Sequence, residues 1–149
     1  MHPASSTTSP GDIGITLLRI SLGTMWVAHA LLKPLVFTLA GTAQYFASVG
    51  LPGALAYPVF IAELVGGLAL ILGVWARQFA LALLPIMAVA AVVHLPNGWV
   101  HTSPGGGWEY PVFLIVASVA LWLLGDGVAA IKRSTAFVPG GDRRQGPSA

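Results

Sequence analysis

The sequence predicts an all-α integral membrane protein, a four-helix bundle with a short interfacial helix between its first and second spans. Three observations predict it. At 56% hydrophobic and 8% charged over 149 residues, with a mean hydropathy of +0.81, the chain departs far from the roughly 25% charged content of soluble domains. Four runs, 13 to 32, 54 to 75, 79 to 95 and 110 to 131, approach or exceed the ~18 apolar residues expected of a span. The basic residues are one-sided: Arg77 follows the second run and Lys132, Arg133, Arg143 and Arg144 follow the fourth, while 41 to 55 and 96 to 108 hold no Lys or Arg. The positive-inside rule then places both termini in the cytoplasm.

Residues 1 to 12 and 134 to 149 read as flexible polar tails, and 13 to 133 as the transmembrane domain, with helices at about 13 to 33, 54 to 75, 79 to 97 and 109 to 131. Too little chain remains for a separate soluble domain, so the lipid bilayer is the main partner and water-phase enzymology has to come from another subunit. The few basic residues form no patch with interleaved aromatics, and nucleic acid is not expected as a partner. No basic residue precedes the first run and Arg19 lies within it, a pattern unlike a cleaved signal peptide. The absence of cysteine excludes disulfide exchange, thiolate metal sites, iron–sulfur clusters and covalent haem attachment.

The first helix is expected from Ile13 to Lys33, where Pro34 disfavours helical geometry at the residue before it and predicts a break or kink. Residues 35 to 50 read as a short amphipathic piece, with Phe37, Tyr45 and Phe46 at the interface. Gly50-Leu51-Pro52-Gly53 turns the chain into the second helix. Pro85 falls inside the third, where neighbouring helices tolerate a kink. Tyr57-Pro58-Val59-Phe60 opens the second helix as Tyr110-Pro111-Val112-Phe113 opens the fourth, and the helices before them approach their outer ends with His29 and His94. Two helical hairpins related by a pseudo-two-fold axis along the membrane normal would account for the echo; so would proline and tyrosine at helix starts.

Arg19, Gly23, Trp26, Ala30 and Lys33 recur at offsets of three and four, a stripe expected to face inward, with His29 beside it. In the second helix, Ala62, Gly66, Ala69 and Gly73 form a small-residue stripe bordered by Glu63, and the third lines up Leu84, Met87, Ala91 and His94. Glu63 lies six residues beyond Tyr57, roughly 9 Å below the outer interface at the helical rise. Lys33, Glu63, Glu109, His29 and His94 therefore all fall toward one membrane face. An acid inside a span costs on the order of 2.5 to 3.5 kcal/mol on insertion scales, which marks a pathway, relay or binding site. Duller readings compete: Lys33 and Arg19 snorkel, Arg19 pairs with Asp126, and Glu109 meets a helix dipole.

If Glu63 meets Lys33 or His29, burial and charge oppose each other on the carboxyl, and a proton becomes exchangeable. Glu63, His29 and Lys33 are thus the candidates for proton handling. Trp26, His94, Glu109 and Tyr110, with Trp99 and Trp108 near, offer the hydrogen-bond partners and aromatic wall that a quinone headgroup needs. Two imidazoles and two carboxylates also suit a divalent metal, yet no ligand spacing within one helix supports one, and no metal is assigned. A bis-histidine haem through His29 and His94 has less support still.

Leu17-Leu18-Arg19, Gly23, Trp26, His29 and Lys33, then Glu63, Gly66-Gly67, Gly73, Arg77 and His94, and finally Gly107-Trp108-Glu109-Tyr110-Pro111 together resemble the DoxX family of small four-helix membrane proteins. The resemblance spans 13 to 131 and implies a bacterial inner-membrane protein. It also implies a link to quinone-coupled oxidation or to oxidoreductase complexes with soluble partners, and Arg19, His29, Lys33, Glu63, Arg77, His94 and Glu109 as the positions that carry over. With no nucleotide or flavin motif in the chain, the leading expectation is a membrane subunit that passes reducing equivalents from a partner subunit to quinone. A small-molecule or proton transporter and a scaffold anchoring soluble enzymes are the alternatives.

Overall fold

The computed structural model describes residues 8–139, and its regular elements are helices, with no strand among the described residues. The first, α1 (Pro10–Leu32), starts three residues before the expected boundary because Ser9 closes a capping box. The Ser9 hydroxyl accepts from the Asp12 amide at 3.1 Å, while the Asp12 carboxylate accepts from the Ser9 amide at 3.4 Å. The part of the expected tail from Pro10 to Asp12 is thus the first helical turn; residues 1–7 lie outside the described residues. Ser9→Ala is expected to remove about 1 kcal/mol from this turn, read as faster amide exchange from Gly11 to Ile13.

Pro34 does not end the helix. Lacking an N–H and crowding the preceding turn, it shifts the ladder to a wider register, and the chain continues as a π-turn over Lys33–Phe37. Thr38 then turns at φ 61°, and its hydroxyl accepts from the Gly41 amide at 3.0 Å to start α2 (Leu39–Ser48), the expected interfacial piece. After a 3-10 turn over Gly53–Leu55 comes α3 (Ala56–Leu72), stopped by Gly73 in the left-handed region. The third apolar stretch runs from Ala76 to Asn97 as α4 (Ala76–Ala82) and α5 (Leu84–His94), divided at Leu83 by Pro85 and closed by a 3-10 turn. Proline therefore bends this stretch without terminating it.

Three helical stretches, Pro10–Phe37, Gly53–Leu72 and Ala76–Asn97, are long and apolar enough to cross a membrane. The last helix, α6 (Glu109–Leu124), has 16 residues and stops at Gly125, well before the expected 131. At 1.5 Å per residue it spans about 24 Å, short of a ~30 Å hydrocarbon core.

Beyond α6 the chain folds back as a strap instead of forming a loose tail. The Ile131 and Lys132 amides donate to the carbonyls of Leu72 and Gly73, and the Trp75 amide donates to Lys132, so orphan groups at the end of α3 and the start of α4 are satisfied. The Lys132 ammonium lies 4.4 Å from the Trp75 ring centroid. Ser134 donates from its amide and hydroxyl to Asp126, and accepts from the Arg77 amide. Gln78 and Trp122 donate to the carbonyls of Ala136 and Phe137. Residues 134 to 139 of the expected flexible tail are consequently docked, and 140 to 149 lie outside the described residues.

Packing is pairwise: α1 lies chiefly along α3, and α6 along α4 and α5. At the first crossing a Cβ on Gly23 would sit 2.7 Å from the Gly67 carbonyl, and one on Gly67 2.9 Å from the Gly23 carbonyl, so only glycine permits this approach. The expected small-residue stripe of α3 is partly corrected. Gly66 does face Leu83, but Ala62 is exposed, and Gly67, outside the stripe, carries the contact with α1. The inward stripe of α1 behaves as expected: Arg19, Gly23, Trp26 and Ala30 are buried and Lys33 is half-buried. Leu22, Trp26, Leu70, Leu83, Leu114 and Leu121 lead the core they join.

Candidate functional site

The Gly23–Gly67 crossing aligns the polar residues above it. Lys33 lies ten residues further along α1, and Glu63 four residues back along the antiparallel α3, roughly 15 Å and 6 Å from the crossing. Helical side chains tilt toward their own N-terminus. Lys33 therefore reaches down and Glu63 up, and the ammonium meets the carboxylate in a direct ion pair. The Lys33 side chain is 14% exposed and that of Glu63 5%, so neither charge is balanced by bulk water. Lys33 Nζ also approaches the His29 carbonyl at 3.4 Å. The π-turn opening at Lys33 places this side chain at a wider section of helix than a regular α-turn would.

His29 lies one turn before Lys33 on α1, with its carbonyl toward the Lys33 ammonium. Its Nδ1 lies 2.9 Å from the Met25 carbonyl. A carbonyl only accepts, so Nδ1 carries the hydrogen and Nε2 is left to exchange protons. The imidazole stacks on Tyr110 at 5.3 Å between centroids and 20° between planes.

Tyr110 has a second neighbourhood. It lines an open groove of about 690 Å³ together with Trp99, His101, Glu109, Val112, Phe113 and Val116. In its wall Glu109 accepts from the His101 amide at 2.7 Å and pairs with its Nδ1 at 2.6 Å. The rest is the apolar flank of α6.

The five residues expected to meet do not all meet. Lys33 and Glu63 come together beside His29, and Tyr110 stacks on His29. Glu109 holds the loop before α6 through His101. His94 lies with that loop too, 3.5 Å from Asn97 Nδ2 and packed against Gly106, while Asn97 donates to the Gly105 carbonyl. Trp26, expected beside a headgroup, is 1% exposed and belongs to the core; Trp99 and Trp108 pack edge to face at 4.4 Å. Arg19 does not snorkel. It is 1% exposed and lies where a Cβ on Gly73 would be, and Asp126 bonds to Ser134 instead of pairing with it. Among the described residues no three His, Asp or Glu side chains gather as a metal site would require.

Sequence reasoning missed the Met25 carbonyl that sets the His29 tautomer and the His101 partner of Glu109. The first was legible as an i, i−4 relation on one helix; the second depends on how an eleven-residue loop closes, for which the sequence carries no periodic signal.

A DoxX family profile matches residues 14–95. The chain belongs to the DoxX family. That match covers α1 to α5, and with them the Lys33–Glu63 pair and His29; α6, with Glu109 and Tyr110, lies beyond it. The DoxX chain is also 29% identical over 120 residues to a protein of Bacillus subtilis (strain 168) that bears the name "Putative oxidoreductase CatD", covering 80% of this chain and 85% of that protein. No solved structure matches the chain.

Proposed function

We propose that this DoxX protein is the membrane subunit of a quinone-linked oxidoreductase complex. The reading rests on one observation: Tyr110 stacks on His29, beside the Lys33–Glu63 pair, and also lines a largely apolar groove that has His101 and Glu109 in its wall. Such a groove suits a ring with hydrogen-bonding oxygens and an isoprenoid tail, the ring toward His101 and Glu109 and the tail along Phe113 and Val116. A quinone takes up two electrons and two protons there. The electrons come from a partner subunit, since this chain has no nucleotide or flavin motif. Lys33 holds the Glu63 carboxylate in place inside the span, His29 Nε2 exchanges the proton, and Tyr110 separates this group from the groove.

In this reading α6 is the fourth span of a bundle in a bacterial inner membrane, short enough to draw the bilayer inward around it. Arg77, Lys132 and Arg133 mark the cytoplasmic end, the end that also holds the start of α1. The repeat of Tyr-Pro-Val-Phe in the first turns of α3 and α6 supports two hairpins related by an axis along the membrane normal. The named relative adds support for oxidoreductase chemistry, and a scaffold or a transporter is the outcome to set against it.

Glu63→Gln and His29→Ala are each expected to lower quinol formation by the intact complex about 100-fold, the lower range for loss of a general acid or base, without releasing the partner subunit. Unchanged turnover sinks the proposal. Substrate flux into vesicles bearing this chain alone assigns transport instead, and partner capture with no quinol formed leaves a scaffold.

A further inference from the structure

Four side chains inside the helical packing carry buried polar atoms with no protein partner: Arg19 Nε and Nη1 on α1 against the end of α3, Trp26 Nε1 on α1, and Ser118 Oγ and the Tyr110 hydroxyl on α6. Arg19, Ser118 and Trp26 are each 1% exposed. Buried polar groups in folded proteins are almost always satisfied, and where protein supplies no partner, internal water does. Ser118 is the most telling. A serine inside an apolar helix ordinarily donates to the carbonyl four residues back. Thr16 and Thr42 do so here, at 2.9 Å each, and Ser118 does not.

These atoms form a series by height. Tyr110 is level with His29 through their stacked rings, and α6 runs antiparallel to α1. Ser118, eight residues on, therefore sits about 12 Å nearer the inner end, level with the stretch between Arg19 and Trp26. Read from the inner face, the order is Asp126, Arg19, Ser118, Trp26, Glu63, then Tyr110 and His29. The steps along the axis are at most about 8 Å, a span that one or two waters cover between side chains at ordinary hydrogen-bond spacing. Arg19 and Asp126 are both buried at that end, 1% and 7% exposed.

We propose that α1, α3 and α6 enclose a file of internal water that joins Asp126 and Arg19 at the inner end to Glu63, giving that carboxylate a proton route from the cytoplasmic face. The inference rests on the reading of Glu63 as a proton-handling group, but the water file is testable without quinone.

Hydroxyl-radical footprinting by X-ray radiolysis, on the full chain in nanodiscs, reads internal water through labelling of adjacent side chains. Trp26 is expected to be labelled despite its burial, and to lose the labelling in Ser118→Val, which removes the hydroxyl and puts two methyl groups in its place. Labelling equal in both, or absent from the wild type, overturns the file. A melting curve close to wild type shows that Ser118→Val is folded; if it is not, Ser118→Ala, which removes the hydroxyl and adds no volume, takes its place and is expected to lose the labelling likewise, while Ser118→Thr, the same size as valine but with a hydroxyl, is expected to keep it. In vesicles loaded with a pH dye, Lys33→Met/Glu63→Gln removes the charges that close the outer end and is expected to admit protons, an admission lost on adding Ser118→Val. No admission, or admission indifferent to Ser118→Val, overturns the proton route. If these tests succeed while quinol formation fails in the intact complex, the quinone reading falls and the water file stands.

Discussion

Glu63→Leu is expected to lower stability by about 3 to 5 kcal/mol, the cost of leaving one charge of a buried pair without its partner. Lys33, with 14% of its side chain exposed, then faces the apolar interior with only the His29 carbonyl beside it. Lys33→Met alone is expected to cost a similar amount for the opposite reason, since Glu63 is the more deeply buried of the two. The double variant Lys33→Met/Glu63→Leu is expected to recover most of the loss, because apolar side chains of similar size need no desolvation. Unfolding of the four proteins in detergent, arranged as a double-mutant cycle, measures the coupling directly. Additive losses would show that Lys33 reaches the interface unaided and that the pair is incidental. A stable double variant that forms no quinol would place the reason for the charges in function, since the fold would have shown that it does without them.

Gly67→Val is expected to force α1 and α3 apart at their closest contact. Its Cβ would lie 2.9 Å from the Gly23 carbonyl, 2.9 Å from the Trp26 Cβ and 2.9 Å from a Val27 methyl. The first of these is backbone and cannot rotate away. The helices must separate, costing about 1 to 3 kcal/mol for overpacking alone, and the separation also draws Lys33 from Glu63. Gly14→Ala is the control. A Cβ at that exposed position of α1 meets nothing within 4 Å, so alanine is expected to stabilise by about 0.5 to 1 kcal/mol through its lower backbone entropy in a helix. Melting temperatures of the two variants should move in opposite directions. If Gly67→Val melts with the wild type, the close crossing is absent and the alignment of Glu63 with Lys33 has no support.

Periodicity made α1, α3 and the inward stripe from Arg19 to Lys33 readable, because a helix repeats its exposure every three to four residues whatever it packs against. Pro85 was readable as a kink for the same local reason. Pro34 was not, since proline states that the regular ladder fails but not whether the chain stops or widens into a π-turn. The end of α6 was overestimated because Leu123 to Ile131 is nearly as apolar as the helix before it. What ends the helix is Gly125 at φ 121°, together with backbone partners that α3 and α4 offer to the returning strap. Those partners lie more than fifty residues away in the sequence, beyond any local pattern.

By itself the sequence determined the solvent, the helical class and which charged residues would be costly to bury, because transfer from water depends on composition and the helical period alone. Only the tertiary structure decided which of those residues meet. Glu63 finds Lys33 because two glycines let two particular helices cross at one height, and His94 and Glu109 are drawn into a loop instead. Depth in the membrane follows from counting residues; proximity follows from crossing angle and rotation, which are set by side chains on both helices at once.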